Sequence, residues 1–182
     1  MRIICLLALV AASVSALDWH DAGREPLFVA GGATILNHKA SQASGDVGGA
    51  VTIGALLPVA AAYGPPGIDF DWRSVQGSQG SLNHMDLMAV MRHTVDRTGV
   101  FLGAGVGLGY ARYRPADNPP KPQYVSVDSQ AFGPCAKAMA GYASGPMFFE
   151  AAYIFPAPLE GVRTDGLSIL VGFRFGSGWY RP

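Results

Sequence analysis

Charged and titratable side chains recur at every second residue in the middle of the chain. Asp69, Asp71 and Arg73 follow one another at this spacing, and His84 and Asp86 repeat it. Because successive side chains of a β-strand point to opposite faces, each group shares one face of a strand. Carboxylates beside an imidazole and a guanidinium could carry protons, guide ions or pair with one another. The full set with this parity, on the strands predicted below, is Asp69, Asp71, Arg73, His84, Asp86, Arg92, Lys137, Glu150 and Arg174.

A short turn would decide how these groups meet. If residues 78–79 form a two-residue hairpin loop, Arg73 lies opposite His84, and Asp71 lies opposite Asp86. Two directly opposed carboxylates repel each other, so Arg73, diagonal to Asp86, would compensate them. We therefore interpret the set as a structural ion-pair network, which would fill a small closed barrel. An ion path or an acid–base site is the functional alternative.

The sequence predicts neither a metal site nor a cofactor site. His84 with Asp86 could supply two ligands from one strand face, but no third ligand of the right kind is spaced nearby. The glycines between Gly103 and Gly109 do not form a dinucleotide-binding loop. Leu108 stands where that fingerprint needs a glycine, and no helix follows.

The glycine-rich segment Gly99–Arg112 indicates what kind of strand carries these groups. One parity set runs from Val100 to Tyr110 and is apolar, whereas the other is nearly bare glycine. A soluble, half-buried strand places apolar residues inward and charge outward. An apolar face opposed to glycine instead fits a strand that faces lipid outside and a narrow, filled lumen inside.

The rest of the chain predicts an all-β protein. Turn formers separate segments whose lengths mostly approach the ~9–11 residues that a tilted strand needs to cross a bilayer. Their apolar faces are large and aromatic, and their other faces combine glycine with charges of both signs, which favours a lipid-facing barrel over a soluble sandwich. The eight predicted strands are Leu27–Leu36, Gly48–Leu57, Gly67–Gln76, Ser81–Thr94, Gly99–Tyr113, Gln130–Ala143, Met147–Phe155 and Leu167–Phe175.

The first residues have the features of a signal peptide. Arg2 precedes the apolar run Ile3–Ala12, and small residues at 14–16 provide a cleavage site, so we predict a signal peptide at 1–16 and one domain at 17–182. Cys135 is then the sole cysteine of the mature chain, which excludes an intrachain disulfide. The 13 basic and 13 acidic residues balance, and no basic stripe suggests nucleic-acid binding.

Taken together, the export signal, the eight amphipathic strands and the alternating last strand Leu167–Phe175 resemble the small bacterial outer-membrane β-barrels of the OmpA/OmpX type. The sequence departs from that pattern after its last predicted strand, because residues 176–182 follow Phe175. The resemblance implies an eight-stranded antiparallel up-and-down transmembrane barrel in the outer membrane of a bacterial envelope, with both termini in the periplasm. It also implies contact with outer-membrane lipid, passage through the barrel-assembly machinery, no cofactor and a monomeric state.

We expect a structural or surface-interaction role without an open pore or enzymatic activity. One alternative is a secreted, soluble, lipocalin-like barrel that binds an apolar ligand. Another is a lipid-modifying hydrolase, for which Ser126, Ser168 and His93 are the only candidates, and they form no coherent triad.

A rim at the end of the fifth strand is the remaining candidate site. Tyr110, Arg112 and Arg114 continue the outward parity beyond the apolar stretch. Guanidinium groups pair with phosphates, and an aromatic ring suits the membrane interface. We therefore hypothesise that this rim contacts the phosphates of an outer-leaflet glycolipid.

Overall fold

The protein forms a closed antiparallel β-barrel. The computed structural model describes residues 27–37, 47–57, 66–95, 99–117, 128–144, 147–157, 159 and 164–175. Each strand pairs with its neighbour in sequence, and the last pairs with the first, which leaves no open sheet edge around the ring. The strands are β1 (Leu27–Leu36), β2 (Val47–Leu56), β3 (Pro66–Gly77), β4 (Gly80–Val95), β5 (Val100–Pro115), β6 (Ser129–Ser144), β7 (Met147–Phe155) and β8 (Gly166–Phe175).

This architecture confirms the predicted eight-stranded up-and-down barrel, with strand ends that differ from the predicted ones by at most two residues. Two predictions concern other parts of the chain: the signal peptide at 1–16 and the tail at 176–182 lie outside the described residues. No helix within the described ranges is long and apolar enough to cross a membrane.

The two faces of the barrel wall have opposite chemistry. On β5, Val106 and Leu108 are exposed on the outer face, whereas the charged groups of the other strands are buried inside. The outer surface is therefore apolar and the interior charged, the reverse of a soluble barrel. The large apolar side chains that the outer face exposes include Val29, Ile53, Phe70, Trp72, Leu87, Leu102, Phe149, Ile169 and Phe173.

The barrel wall is taller on one side. β4, β5 and β6 each have 16 residues, whereas the other strands have 9 to 12. The ladder between β6 and β7 begins at Ala136 and Phe155, so the first part of β6 extends beyond the end of β7. We name the end of the barrel that carries the β3–β4 turn the loop end, and the opposite end, where β1 begins and β8 ends, the terminal end.

Three phenylalanines occupy the lumen at the terminal end. Phe28, Phe101 and Phe148 are buried inside the barrel, and each is paired across strands with a glycine, at 54, 141 and 172 respectively. A Cβ atom at any of these glycines would collide with the facing ring, so the glycines make the room that the rings occupy. Phe28 and Phe148 meet edge to face with their centroids 5.6 Å apart. We call these rings the terminal seal.

A second apolar cluster fills the lumen at the loop end. Tyr113 is buried there, and its hydroxyl donates a hydrogen bond of 3.1 Å to the backbone oxygen of Gln79 in the β3–β4 turn. Leu159, which follows β7, packs into the same cluster. We name this group the mouth cluster: Leu36, Val75, Leu82, Ala111, Tyr113 and Leu159. Apolar side chains therefore occupy the lumen at its loop end and at its terminal end, and charged side chains lie between them.

Candidate functional site in the barrel lumen

The glycines of β5 make room for the charged side chains. Gly105 and Gly109 face inward, and each lies beside side chains that reach over from β4 and β6. A methyl group at Gly109 would collide with Oδ1 of Asp86. One at Gly105 would lie 2.7 Å from Val90 and 3.3 Å from the Lys137 stem. The bare face of the glycine-rich strand thus accommodates the lumen network of its neighbours.

The part of the network nearer the terminal end, which we call the lower network, joins β3, β4, β6 and β7. Arg92 donates two hydrogen bonds to Asp69, of 2.7 and 3.1 Å, and two to Oε2 of Glu150, of 3.1 and 3.2 Å. Lys137 donates one hydrogen bond to Asp69 and another, of 2.9 Å, to Asp71. All five side chains are nearly inaccessible to solvent. Each carboxylate of this group therefore has a cationic partner, which buried charges require.

The upper part of the network joins β3 to β4. The β3–β4 turn gives the predicted register, in which Arg73 lies opposite His84, and Asp71 opposite Asp86. Nη2 of Arg73 donates a hydrogen bond of 3.0 Å to Asp86, the diagonal contact expected from the sequence. Thr52 donates a further hydrogen bond to Asp71. We call Arg73, His84 and Asp86 the upper cluster.

Polar atoms of the upper cluster remain without a hydrogen-bond partner among the described residues. They are Nε and Nη1 of Arg73, both ring nitrogens of His84 and Oδ1 of Asp86. Each of these three side chains is at least 98 % inaccessible to solvent. Such buried polar atoms are rare and call for an explanation.

Arg174 lies at the terminal end of the lumen. Its guanidinium is centred 5.2 Å from the ring of Phe148, and that of Arg92 is 4.7 Å from Phe28. Cations over ring faces are attracted by the negative centre of the aromatic system. The structure thus places all nine predicted lumen residues inside the barrel. Seven of them form ion pairs, His84 lies opposite Arg73, and Arg174 lies over Phe148 of the terminal seal.

Two of the three residues weighed for a hydrolase, Ser168 and His93, lie on opposite faces of the barrel wall. Ser168 faces the lumen and donates a hydrogen bond of 3.2 Å to Thr34, whereas His93 is exposed on the outer face of β4. Ser126 lies outside the described residues. Among the residues that the structure describes, no three His, Cys, Asp or Glu side chains are grouped as metal ligands would be.

The rim at the loop end of β5 has a partner that the sequence did not indicate. Arg112 holds the carboxylate of Asp128 with two hydrogen bonds, of 2.7 and 3.2 Å, and these bonds lower the pKa of Asp128. Tyr110 donates to Gln130 over 2.9 Å. Arg114 is exposed, and its charge also contributes to lowering the pKa of Asp128. Asp128 follows the long connection after β5 and belongs to no periodic pattern, so sequence reasoning missed it.

Comparison with solved structures places this fold among known proteins. The barrel is similar to the crystal structure of Neisserial surface protein A (NspA), with a TM-score of 0.55 and 16% sequence identity over 84% of this chain and 99% of that one. The Yersinia pestis outer membrane protein Ail, solved in a phospholipid bilayer nanodisc, gives a TM-score of 0.49 at 11% identity, over 82% and 99% of the two chains. No protein-family model and no curated protein matches the sequence. The chain therefore has the fold of a small outer-membrane β-barrel protein, with eight antiparallel strands closed into one ring.

Proposed function

We propose that this chain is an integral outer-membrane protein whose filled barrel has a structural or surface-interaction role. The distribution of its side chains supports this most strongly. The outer face exposes a continuous apolar surface around the ring, while the carboxylates of Asp69, Asp86 and Glu150 are buried within it. Such a surface is costly in water and favourable in lipid.

The filling of the lumen supports a role other than that of an open pore. The terminal seal closes one end, the mouth cluster fills the other, and ion-paired side chains occupy the middle. Barrels of eight strands have interiors just wide enough for side chains to fill.

The two other functional classes find less support. A soluble lipocalin-like barrel would hold its apolar ligand in an apolar interior, whereas this interior carries Arg73, Arg92 and Lys137. A lipid hydrolase would need its serine and histidine within hydrogen-bond reach. Ser168 and His93 instead lie on opposite faces of the barrel wall.

Membrane partition tests the proposal. Cells that express the chain are fractionated, and the membranes are washed with alkaline carbonate, which releases peripheral proteins. The proposal expects the chain to stay in the pellet and to be released only by detergent. Recovery of folded chain in the supernatant would contradict it and favour the soluble binder.

We further propose that the rim of Tyr110, Arg112 and Arg114 contacts phosphates of an outer-leaflet glycolipid. Arg114 is exposed and available, whereas Arg112 would have to exchange Asp128 for a phosphate or share its fork between both. When no phosphate is bound, the ion pair with Asp128 holds the Arg112 side chain in place. Planar guanidinium groups match phosphate oxygens in pairs.

Stability in liposomes tests the rim. Phosphorylated glycolipid should raise the unfolding midpoint of the parent chain above its value in plain phospholipid. This gain should shrink in the double variant Arg112→Ala, Arg114→Ala and persist in the control Gln76→Ala, which changes another exposed residue at the loop end. An undiminished gain in the double variant would exclude this rim as the contact.

A further inference from the structure

Five of the six buried side-chain polar atoms that have no hydrogen-bond partner among the described residues belong to the upper cluster, and the sixth is Oε1 of Glu150. In the lower network, Asp69 is held by Arg92 and Lys137, Asp71 by Lys137, and Glu150 by Arg92. Arg73 instead donates a hydrogen bond to Asp86 from Nη2 alone, and its Nε and Nη1 have no partner among the described residues. His84 has none on either ring nitrogen.

The unpartnered atoms of the upper cluster are mostly donors. Nε and Nη1 of Arg73 carry N–H groups, and neutral His84 supplies one donor and one acceptor. Oδ1 of Asp86 is the other acceptor. A ligand that satisfies this cluster must therefore be rich in acceptors. Water could also occupy these positions, but it would not neutralise any charge.

Charge decides when such a ligand can bind. Asp86 already neutralises Arg73, so an anion added to the cluster needs one more positive charge. His84 or Asp86 can supply it by taking up a proton, and the imidazole is the group whose ordinary pKa lies closer to neutral pH. A protonated imidazole opposite the Arg73 guanidinium would in turn need an anion between them, since two cations on opposed positions repel.

The groups that face His84 are consistent with its taking up the proton that accompanies the anion. Arg73 and Asp71 face it from β3, and Asp86 lies two residues along β4. On β5 the paired residue is Ala111, followed by Tyr113 in the mouth cluster. Buried Cys135 is the nearest titratable residue on β6.

We infer that Arg73 and His84 form a binding site for a small anion of halide size, which enters the lumen together with one proton on His84. The site is small because the Asp86 side chain lies so close to the β5 wall that a Cβ atom at Gly109 would collide with it. Anion binding and protonation are then linked, so each must strengthen the other by the same factor.

The titration of His84 in the parent chain tests this linkage. The chain is refolded into lipid nanodiscs in chloride or in gluconate, a much larger anion than chloride, at equal ionic strength. The imidazole resonances of His84 are followed by NMR as a function of pH. At chloride ten times its Kd, the midpoint of His84 should lie about one pH unit higher than in gluconate.

His93 is the internal control for this titration. It lies exposed on the outer face of the same strand, away from the lumen, so its resonances should not distinguish chloride from gluconate. Equal midpoints for His84 in chloride and gluconate would overturn the proposal and leave a water-filled cluster.

Asp86→Asn supplies a second, independent test. This nearly isosteric change removes the carboxylate that neutralises Arg73, so the anion should bind without a proton. At pH 8, chloride should raise the thermal unfolding midpoint of this variant and leave the parent unchanged. The gain should disappear when Arg73→Gln is added. A variant that gains no more from chloride than the parent does would also contradict the proposal, and if neither variant folds, the parent titration decides alone.

Discussion

At the scale of single residues, the Arg73–Asp86 pair links β3 to β4 in the interior. Arg73→Ala would leave Asp86 buried without its cation, and breaking a buried pair costs about 3–5 kcal/mol. Arg112→Ala is the matched control, because its pair with Asp128 is largely exposed and should contribute little. Urea unfolding in detergent micelles measures both. Equal losses in the two variants would show that the interior pair has no special weight.

Replacing both partners separates charge burial from packing. Arg73→Met combined with Asp86→Leu removes the two charges together, so part of the stability lost in Arg73→Ala should return. A double variant as unstable as the single one would mean that the side-chain shapes, rather than the unpaired charge, cause the loss.

Two glycines that face each other across β5 and β6 test the close packing of the lumen. A Cβ atom at Gly109 would collide with Asp86, whereas one at its partner Gly133 would meet only Ala157, at an ordinary 3.7 Å. Gly109→Ala should therefore destabilise the barrel by about 1–3 kcal/mol, as overpacking does, and Gly133→Ala should be tolerated. Urea midpoints compare the two, and the reverse order would contradict the described position of Asp86.

Much of the lumen could be predicted at this scale because parity alone assigns a face. The period of two placed the charged residues inside, and the two-residue turn at 78–79 fixed which of them are opposed. The partners of Arg92 and Lys137 on distant strands could not be predicted, since they depend on barrel closure and strand stagger. The glycine beneath each ring of the terminal seal was likewise visible in sequence only as an unassigned small residue.

At the scale of elements, β4 and β5 test which face meets lipid. Leu87 and Val106 are exposed on the outer face, and arginine there should cost about 2–4 kcal/mol near the bilayer midplane. Gly105→Arg points into the filled lumen and should prevent folding for steric reasons. Refolding yield and stability in liposomes report both effects. Equal tolerance of arginine at 105, 106 and 107 would refute the assignment of faces.

The junction of β5 and β6 at the loop end makes a prediction about pH. The hydrogen bonds from Arg112 hold the pKa of Asp128 below its ordinary value, so the ion pair stabilises the fold above that value and is lost as the pH falls through the lowered pKa. Arg112→Gln should raise the pKa of Asp128 toward normal. Carboxyl chemical shifts measure this, and added salt should weaken the effect in the parent. An Asp128 pKa that is the same in both chains would contradict the pairing.

At the scale of the whole molecule, the filled lumen predicts an electrically silent barrel. Among the described residues, apolar rings at the terminal end, the mouth cluster at the loop end and ion pairs between them occupy the lumen. Purified chain inserted into planar bilayers should show no steady conductance. The double variant Phe28→Ala, Phe148→Ala removes two rings of the terminal seal. We therefore expect it to conduct more readily than the parent chain. Stable channels from the parent would contradict the sealed barrel.

The closed, lipid-facing ring is the central claim, and gel migration before and after boiling tests it most directly. Every strand is hydrogen-bonded on both sides and the apolar surface faces outward, so detergent can replace lipid without opening the ring. Membrane-derived chain should migrate as a compact, fast band when unheated in dodecyl sulfate, and after boiling as a slower band at the mass of the unfolded mature chain, which is below the 19.1 kDa of the full 182 residues. Identical migration of the heated and unheated samples would contradict a closed barrel embedded in a membrane.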